Sequence, residues 1–457
     1  MAKITFRIGT NRIMRLSPTR MVVFSFAVII LIGSILLSLP AVSNSGKSIG
    51  YLNALFTATS ATCVTGLIVA DTYTQWNIYG QIIILCLIQA GGLGIITLAT
   101  FFSALLGRKV SLKGMLLAQE SINHFSFEGV VRLVKRVVLV TLAFETLGAL
   151  ILSIRFIPIF GLKGIYMGIF HSITAFCNAG FDLMGGYSGE YSSLTSFNND
   201  PVVIYTIAAL IIIGGLGFLV WKDLYEYKKN KSLFLHTKLV LIMTVLLILL
   251  GAVFFFVFES NNPLTMGKLN FFEKINASIF HSVTTRTAGY NSVPLNEMQD
   301  ISKVATVLLM FIGAAPGSTA GGVKITTFGV IVAAIFSQIS GSSETVIFRR
   351  RVPHYVVNKA LSIIGLSAMV VIAVATVILA IEGGSFINIF YEATSAFGTV
   401  GLSTGITPTL HSVSKLLLIL TMFLGRVGPV SFAIALTLRA NKKDMDMVYP
   451  EGKVIVG

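Results

Sequence analysis

Charge is scarce in this sequence. Only 12% of its 457 residues are Asp, Glu, Lys or Arg, and just 19 of them are acidic. A water-soluble chain of this length carries roughly twice that share, so a soluble enzyme is excluded as a description of the whole molecule. Cysteine is almost absent: Cys63, Cys86 and Cys177 fall in apolar stretches with no pairing pattern and no Cys/His metal spacing. Histidine is equally thin. His124, His236, His354 and His411 lie near the ends of apolar segments, and His171 and His281 each follow a phenylalanine, with no ligand spacing among them. There is no P-loop and no dinucleotide fingerprint, so no cofactor is expected on this chain. The clustered acids, histidines and serines of a membrane enzyme are also missing, since Glu145 and Arg426 are nearly the only ionisable groups inside apolar spans. No cleavable signal is expected, because the first apolar run, Met21–Val42, is long enough to span and lacks a small-residue cleavage site.

What is abundant is apolar length. Hydrophobic residues make up 54% of the chain. Eight segments are long enough to cross a bilayer, at 20–42, 76–106, 131–157, 202–226, 236–258, 302–338, 356–381 and 412–438. Four shorter apolar stretches, about 51–62, 165–176, 271–284 and 386–397, lie between them and are too short to span. The net charge of +15 suggests nucleic acid until its placement is considered. Twenty-four of the 34 basic residues cluster in alternate connections and seven in the intervening ones, which orients both termini toward the cytoplasm and leaves no nucleic-acid role. All four short stretches then fall in outward connections, where ten acids, Asp71 and Asp182 among them, lie.

The same phrase occurs four times: TSATCVTGL at 59–67, ITAFCNAGF at 173–181, SVTTRTAGY at 282–290 and TSAFGTVGL at 394–402. Each copy ends a short helix at one glycine: Gly66, Gly180, Gly289 and Gly401. A half-helix directs its partly negative carbonyl end at a cation, and glycine lets successive carbonyls turn toward one axis. The expected ligating backbone is Val64, Thr65 and Gly66; Asn178, Ala179 and Gly180; Thr287, Ala288 and Gly289; Thr399, Val400 and Gly401. Side chains differ widely at matched positions, which suits backbone coordination of a dehydrated cation. A second phrase of small residues follows at Gly91, Gly214, Gly313 and Gly425, lying 25, 34, 24 and 24 residues beyond the respective first-phrase glycine.

The fold expected is therefore all-α and polytopic: four membrane helix–pore helix–membrane helix repeats around a pseudo-fourfold pore, with eight spans. The repeats are placed at 1–130, 131–235, 236–355 and 356–457. In the third, Ala314, Ala315, Pro316, Gly317, Ser318, Thr319, Ala320, Gly321 and Gly322 interrupt an apolar span. Proline and glycine break helical hydrogen bonding there, so a loop is expected in mid-membrane, with Lys324 tethering it or facing the inner mouth. Arg426 lies eleven residues past Lys415 and thirteen before Arg439, roughly 16–20 Å of helix from either interface. Such a deep charge is read as functional, either a positive barrier under the pore or the partner of Glu145. Arg286 is expected to brace the third pore helix through carbonyls or an outer carboxylate.

Through TCVTGL, FCNAGF, RTAGYNS, FGTVGL, the GAAPGSTAGGVKITT run at 313–327 and GRVGP at 425–429, the chain resembles the Ktr/Trk/HKT potassium-uptake superfamily, most closely the bacterial Ktr type. The resemblance implies a potassium filter with one glycine per repeat and an intramembrane gate loop at Ala314–Gly322. Some sodium-favouring plant relatives have serine in the first filter position, where this chain has Gly66, and that match points to potassium. It further implies a homodimer in the cytoplasmic membrane on a cytosolic ring that binds ATP and ADP, with sodium as a possible activator. The inward basic segments, Arg349–Arg351 and the C-terminal tail, are where a ring could dock or where the ordinary inside-positive signal resides. An ion-coupled transporter of a small solute is the competing reading; such proteins pair inverted repeats, whereas these four copies run in one orientation.

Overall fold

The computed structural model describes residues 4–6, 14–16, 18–105 and 130–428. The N-terminal basic residues other than Arg15 and Arg20, those at 108–113 and the tail beyond 428 lie outside that range. Each repeat opens on a long helix: Pro18–Leu37, Val130–Phe160, Leu235–Glu259 and His354–Glu382. At 1.5 Å per residue these run about 30 to 46 Å, and among the described residues they are the four unbroken helices long and apolar enough to cross a membrane. Their outer faces leave Leu150, Leu249, Val253 and Ile372 more than half exposed. Large aliphatic side chains on the outside are what hydrocarbon, not water, requires of a surface.

The four short stretches form helices at Tyr51–Cys63, Lys163–Phe176, Phe271–Thr284 and Phe386–Gly398. At 13 or 14 residues each is about 20 Å long, too short to cross. They are enclosed by the long helices: Phe56, Phe170, Phe176, Phe280 and Phe397 are fully buried, and the hydroxyls of Thr57, Thr59, Thr174 and Thr394 bond back to the carbonyl four residues earlier. Those internal bonds let a Ser/Thr-rich helix lie in an apolar setting.

The second helix departs from the sequence expectation in the first, second and fourth repeats. Runs 76–106, 202–226 and 412–438 are expected as continuous spans, with a break only in the third repeat. Instead Ile78–Leu93 stops at Gly94 and resumes as Ile95–Leu105; Pro201–Leu216 stops at Gly217 and resumes as Phe218–Asn230, bent by 91°. Ser412–Val427 stops at Gly428, where the described chain ends, and the third repeat runs from Asp300–Phe311 through a loop to Ile325–Ile339. Gly94, Gly217 and Gly428 have φ of +79°, +89° and +91°. Each sits in the glycine position that closes a helix C-terminus, so the second phrase is a stop as well as a packing surface. The outward starts are fixed by caps: the Asn77 side chain accepts from the N–H groups of Tyr79 and Gly80, and Asp200 from those of Val202 and Val203.

Candidate functional site

The four half-helices end alike. Val64, Asn178, Thr287 and Thr399 occupy the left-handed region with φ between 51° and 72°, and two residues on Gly66, Gly180, Gly289 and Gly401 follow at φ between 67° and 91°. Three of the first four are β-branched, for which that conformation is a true outlier, costing of the order of 1–2 kcal/mol per residue. Strain reproduced at four matched positions is a built feature. It is held by the pore helices: the N–H groups of Thr65, Ala179 and Val400 donate to the carbonyls of Ser60, Thr174 and Ser395 at 2.8–2.9 Å, and that of Ala288 to Thr284 at 3.0 Å.

The four glycines close a ring. A Cβ added to Gly66 would lie 2.5 Å from the carbonyl oxygen of Ala179 in the second repeat. At Gly180 it would lie 2.7 Å from Ala288 of the third, and at Gly289 2.7 Å from Val400 of the fourth; at Gly401 it would overlap the carbonyl oxygen of Thr65 in the first. Each glycine therefore abuts the middle carbonyl of the next repeat, in chain order and back to the start. All twelve expected residues are gathered here, every one of them with its side chain or glycine backbone buried.

Two hydroxyls that sequence reasoning missed support the ring. The amide of Gly66 donates to Ser60 Oγ at 3.0 Å, and that of Gly401 to Ser395 Oγ at 3.1 Å. The shared TSA triplet, six residues ahead of both glycines, was the available signal. The other two repeats use Tyr290 instead: its hydroxyl contacts Thr174 Oγ1 and donates to the carbonyl of Phe181, while its own carbonyl accepts from Thr284 Oγ1 at 2.6 Å. Glu392, buried behind the fourth half-helix, accepts from the hydroxyls of Ser403 and Thr407 and from the Thr404 amide at 2.6–2.9 Å.

The second phrase seats the half-helices. A Cβ on Gly91, Gly214 or Gly425 would collide with the carbonyl of Thr62, Phe176 or Phe397, the matched residue four before each ring glycine. In the third repeat the run from Gly313 to Lys324 leaves the helix and lies across its neighbours, as expected of Ala314–Gly322. Ala315 N–H donates to the Gly215 carbonyl at 3.0 Å, the carbonyl of Gly317 accepts from Phe218 at 2.9 Å, and Gly322 N–H donates to Gly425 at 3.3 Å. Gly321 packs on the Thr399 side chain and Gly322 on Gly398, so the loop sits against the base of the ring. Pro316 is oriented so that its carbonyl lies against Gly217, and Ser318 closes a turn onto the Ala315 carbonyl at 2.6 Å. Thr319 Oγ1 donates to the carbonyls of Phe176 and Gly214 at 3.3 Å. Lys324 turns back on its own loop, donating to Ala320 at 2.7 Å and Gly321 at 3.3 Å.

Arg426 joins this loop to the helix Ile78–Leu93. One guanidinium nitrogen donates to the Thr319 carbonyl and another to those of Gly91 and Gly92, the last at 3.3 Å. It does not pair with Glu145, whose carboxylate accepts from Gln89 at 3.1 Å beside Cys177. A second expectation is corrected at Arg286, which is buried with Nε and Nη1 unpartnered, so it does not brace its helix through carbonyls or a carboxylate by those atoms. His171 is satisfied by the Met167 carbonyl at 2.7 Å and the Leu183 amide at 3.3 Å; His281 reaches only Thr306 Oγ1, at 3.2 Å. On the outward side, burial, and after it the charge of Asp71, pushes the Asp182 carboxyl up to about 7, against the pull of the Met184 amide.

Comparison with known proteins fits this arrangement. The TrkH family, described as "Cation transport protein", matches residues 15–445. The Ktr system potassium uptake protein B of Bacillus subtilis is 41% identical over 444 residues, covering 97% of each chain. The potassium/sodium uptake protein NtpJ of Enterococcus hirae is 38% identical, covering 97% of this chain and 98% of its own, and Ktr system potassium uptake protein D of B. subtilis is 34% identical with the same coverage. The crystal structure of the potassium transporter TrkH from Vibrio parahaemolyticus superposes with a TM-score of 0.72 over 94% of this chain and 87% of that one, at 17% identity, a likeness of fold. The relatives are ion transporters and not enzymes, the long apolar helices are those of a multi-pass membrane protein, and the chain belongs to the TrkH family of cation transport proteins.

Proposed function

We propose that this chain takes up potassium across the cytoplasmic membrane through the ring formed by Val64–Gly66, Asn178–Gly180, Thr287–Gly289 and Thr399–Gly401. The observation that carries the reading is the closed contact of each ring glycine with the next repeat's carbonyl. Carbonyls converging from the four segments, three from each, replace the hydration shell of a cation without using side chains, and the relatives named for potassium uptake support potassium as that cation. Sodium enters as a second ion or activator, in keeping with a relative named for both.

The loop Ala314–Gly322 is the gate, and Arg426 is its bolt: it holds the Thr319 carbonyl across to Gly91 and Gly92, and its charge stands beneath the ring. Opening requires these bonds to exchange. The working form is a homodimer whose loop is released when a cytosolic ring binds ATP and held shut when it binds ADP; the relatives are named as members of a system, which supports reading this chain as its membrane component.

Rubidium-86 uptake into potassium-loaded liposomes tests the filter. Wild-type uptake is expected to be suppressed by external potassium and hardly by sodium, and Gly401→Ser is expected to lose the difference. Equal suppression by both ions in the wild type would overturn the reading. No uptake by folded protein, with or without a cytosolic partner and ATP, would favour a solute carrier.

A further inference from the structure

On the inward side, the helices Ile325–Ile339 and His354–Glu382 are joined by a hairpin, Val346–Ile347 paired with Arg350–Arg351. Its two-residue turn, Phe348–Arg349, has φ of +49° and +61°, the geometry that matches strand twist but is ordinarily given to Asn-Gly. Two bulky residues held left-handed at a surface turn cost stability. What the turn achieves is display: Ile347 and Val352 are buried anchors, while Phe348 is 47% exposed and Arg349, Arg350 and Arg351 all point outward.

Beside the hairpin, between the same two helices, is a cavity of about 280 Å³. Its floor is apolar, with Ala334, Ile335 and Leu361, and its rim is polar, with Ser342, Thr345 and His354. Ile335 and Leu361 are each more than half exposed, so the floor opens sideways along the helices toward the bilayer. Phe336 and Ile339 in the last turn of Ile325–Ile339 and Tyr355 in the first turn of His354–Glu382 are 66–76% exposed. Exposed aromatics at the ends of apolar helices mark the headgroup layer. Charge there is one-sided. Glu344 is taken by Arg351 at 2.6 Å, with His354 at 3.6 Å, whereas Arg349 and Arg350 have no ion pair among the described residues.

We infer that this groove and hairpin bind one anionic glycerophospholipid of the inner leaflet, its acyl chain on Ala334, Ile335 and Leu361 and its phosphate on Arg349, Arg350 and the His354 rim. A cytosolic protein would account for the arginines but not for an apolar trough open to the bilayer, nor for the exposed aromatics at the adjoining helix ends. A neutral lipid would account for the trough but not for two unpaired guanidinium groups. Basic pockets between inner helix ends are the sequence-readable form of such a site.

The test uses the full chain with Leu361→Trp as reporter, in nanodiscs of phosphatidylcholine containing brominated lipid at low mole fraction. Brominated phosphatidylglycerol is expected to quench the reporter better than brominated phosphatidylcholine, by about fivefold in relative affinity for each arginine engaged. Arg349→Gln with Arg350→Gln, both exposed and harmless to folding, is expected to abolish the preference, and Ala334→Phe to abolish quenching by either lipid. An equal preference at Leu249→Trp, on a lipid-facing helix elsewhere, would mean diffuse attraction and overturn the site. So would displacement by millimolar glycerol phosphate, which would make it a soluble-phosphate site. Unchanged quenching in the arginine pair, with loss of a bound cytosolic protein or of a second copy of the chain, would assign the hairpin to that partner.

Discussion

A single methyl group is the smallest change that tests the ring. At Gly401 it meets both a carbonyl of the first repeat and a φ of +89° that L-residues avoid. Gly401→Ala is expected to lower rubidium uptake at least tenfold while the protein still assembles, and a variant with wild-type uptake and selectivity would remove Gly401 from the conduction path. Ser395→Ala is milder: it strands a buried amide at a cost of roughly 1–3 kcal/mol and should narrow the potassium preference several-fold without abolishing flux, read in the same competition assay. Asp182 supplies the pH dependence. Its carboxyl is raised, so the fold binds the proton more tightly than the unfolded chain, and the stability this contributes is present below about 4 and lost as pH rises through about 7. Uptake should move the other way, rising over that window as a second acid near Asp71 ionises at the outer mouth; Asp182→Asn is expected to flatten both profiles. The glycines were legible in the sequence because a fourfold phrase is improbable by chance. Ser60 and Ser395 were not, since a serine in an apolar helix reads equally as a back-bonded hydroxyl.

The half-helices and the loop of the third repeat are held in two different ways. Gly91, Gly214 and Gly425 let three half-helices rest on the second helices, so Gly214→Ala, whose new Cβ overlaps the Phe176 carbonyl, is expected to cost several kcal/mol as an overpacked core and to lower the melting temperature measurably in detergent. The loop Gly313–Lys324 is held differently, by a few backbone bonds and by Arg426. Arg426→Ala is expected to raise basal uptake severalfold, measured without any cytosolic partner, and Arg426→Lys to restore only part of the closure, because an ammonium cannot span two carbonyl groups as a planar fork does. Uptake unchanged or lower in Arg426→Ala would mean that the arginine does not hold the gate. The break in the third repeat was legible from a proline and several glycines together. Those at Gly94, Gly217 and Gly428 were not: one glycine in an apolar run is written the same way whether it packs a helix or ends it, and only the backbone distinguishes the two. Arg426 was legible by depth, but its partners were not, for carbonyl acceptors leave no mark in a sequence.

At the scale of the molecule, four unlike copies of one phrase build one closed surface, which is why the side chains could diverge while the backbone did not. Val, Asn, Thr and Thr share a left-handed conformation, and the half-helices behind them are braced in separate ways: by serine hydroxyls in the first and fourth repeats, by Tyr290 between the second and third, and by Glu392 behind the fourth. Such asymmetry leaves the third segment contributing to the ring and also supplying the loop Gly313–Lys324 packed against it. The central claim is that the carbonyls of Thr65, Ala179, Ala288 and Val400 converge to hold a potassium ion, and anomalous diffraction from crystals grown in thallium or rubidium measures that most directly. The account predicts one or more peaks on the axis enclosed by those four oxygens, lost on exchange into sodium. Peaks only at outer carboxylates such as Asp71 and Asp182, or an axis equally occupied in sodium, would contradict it.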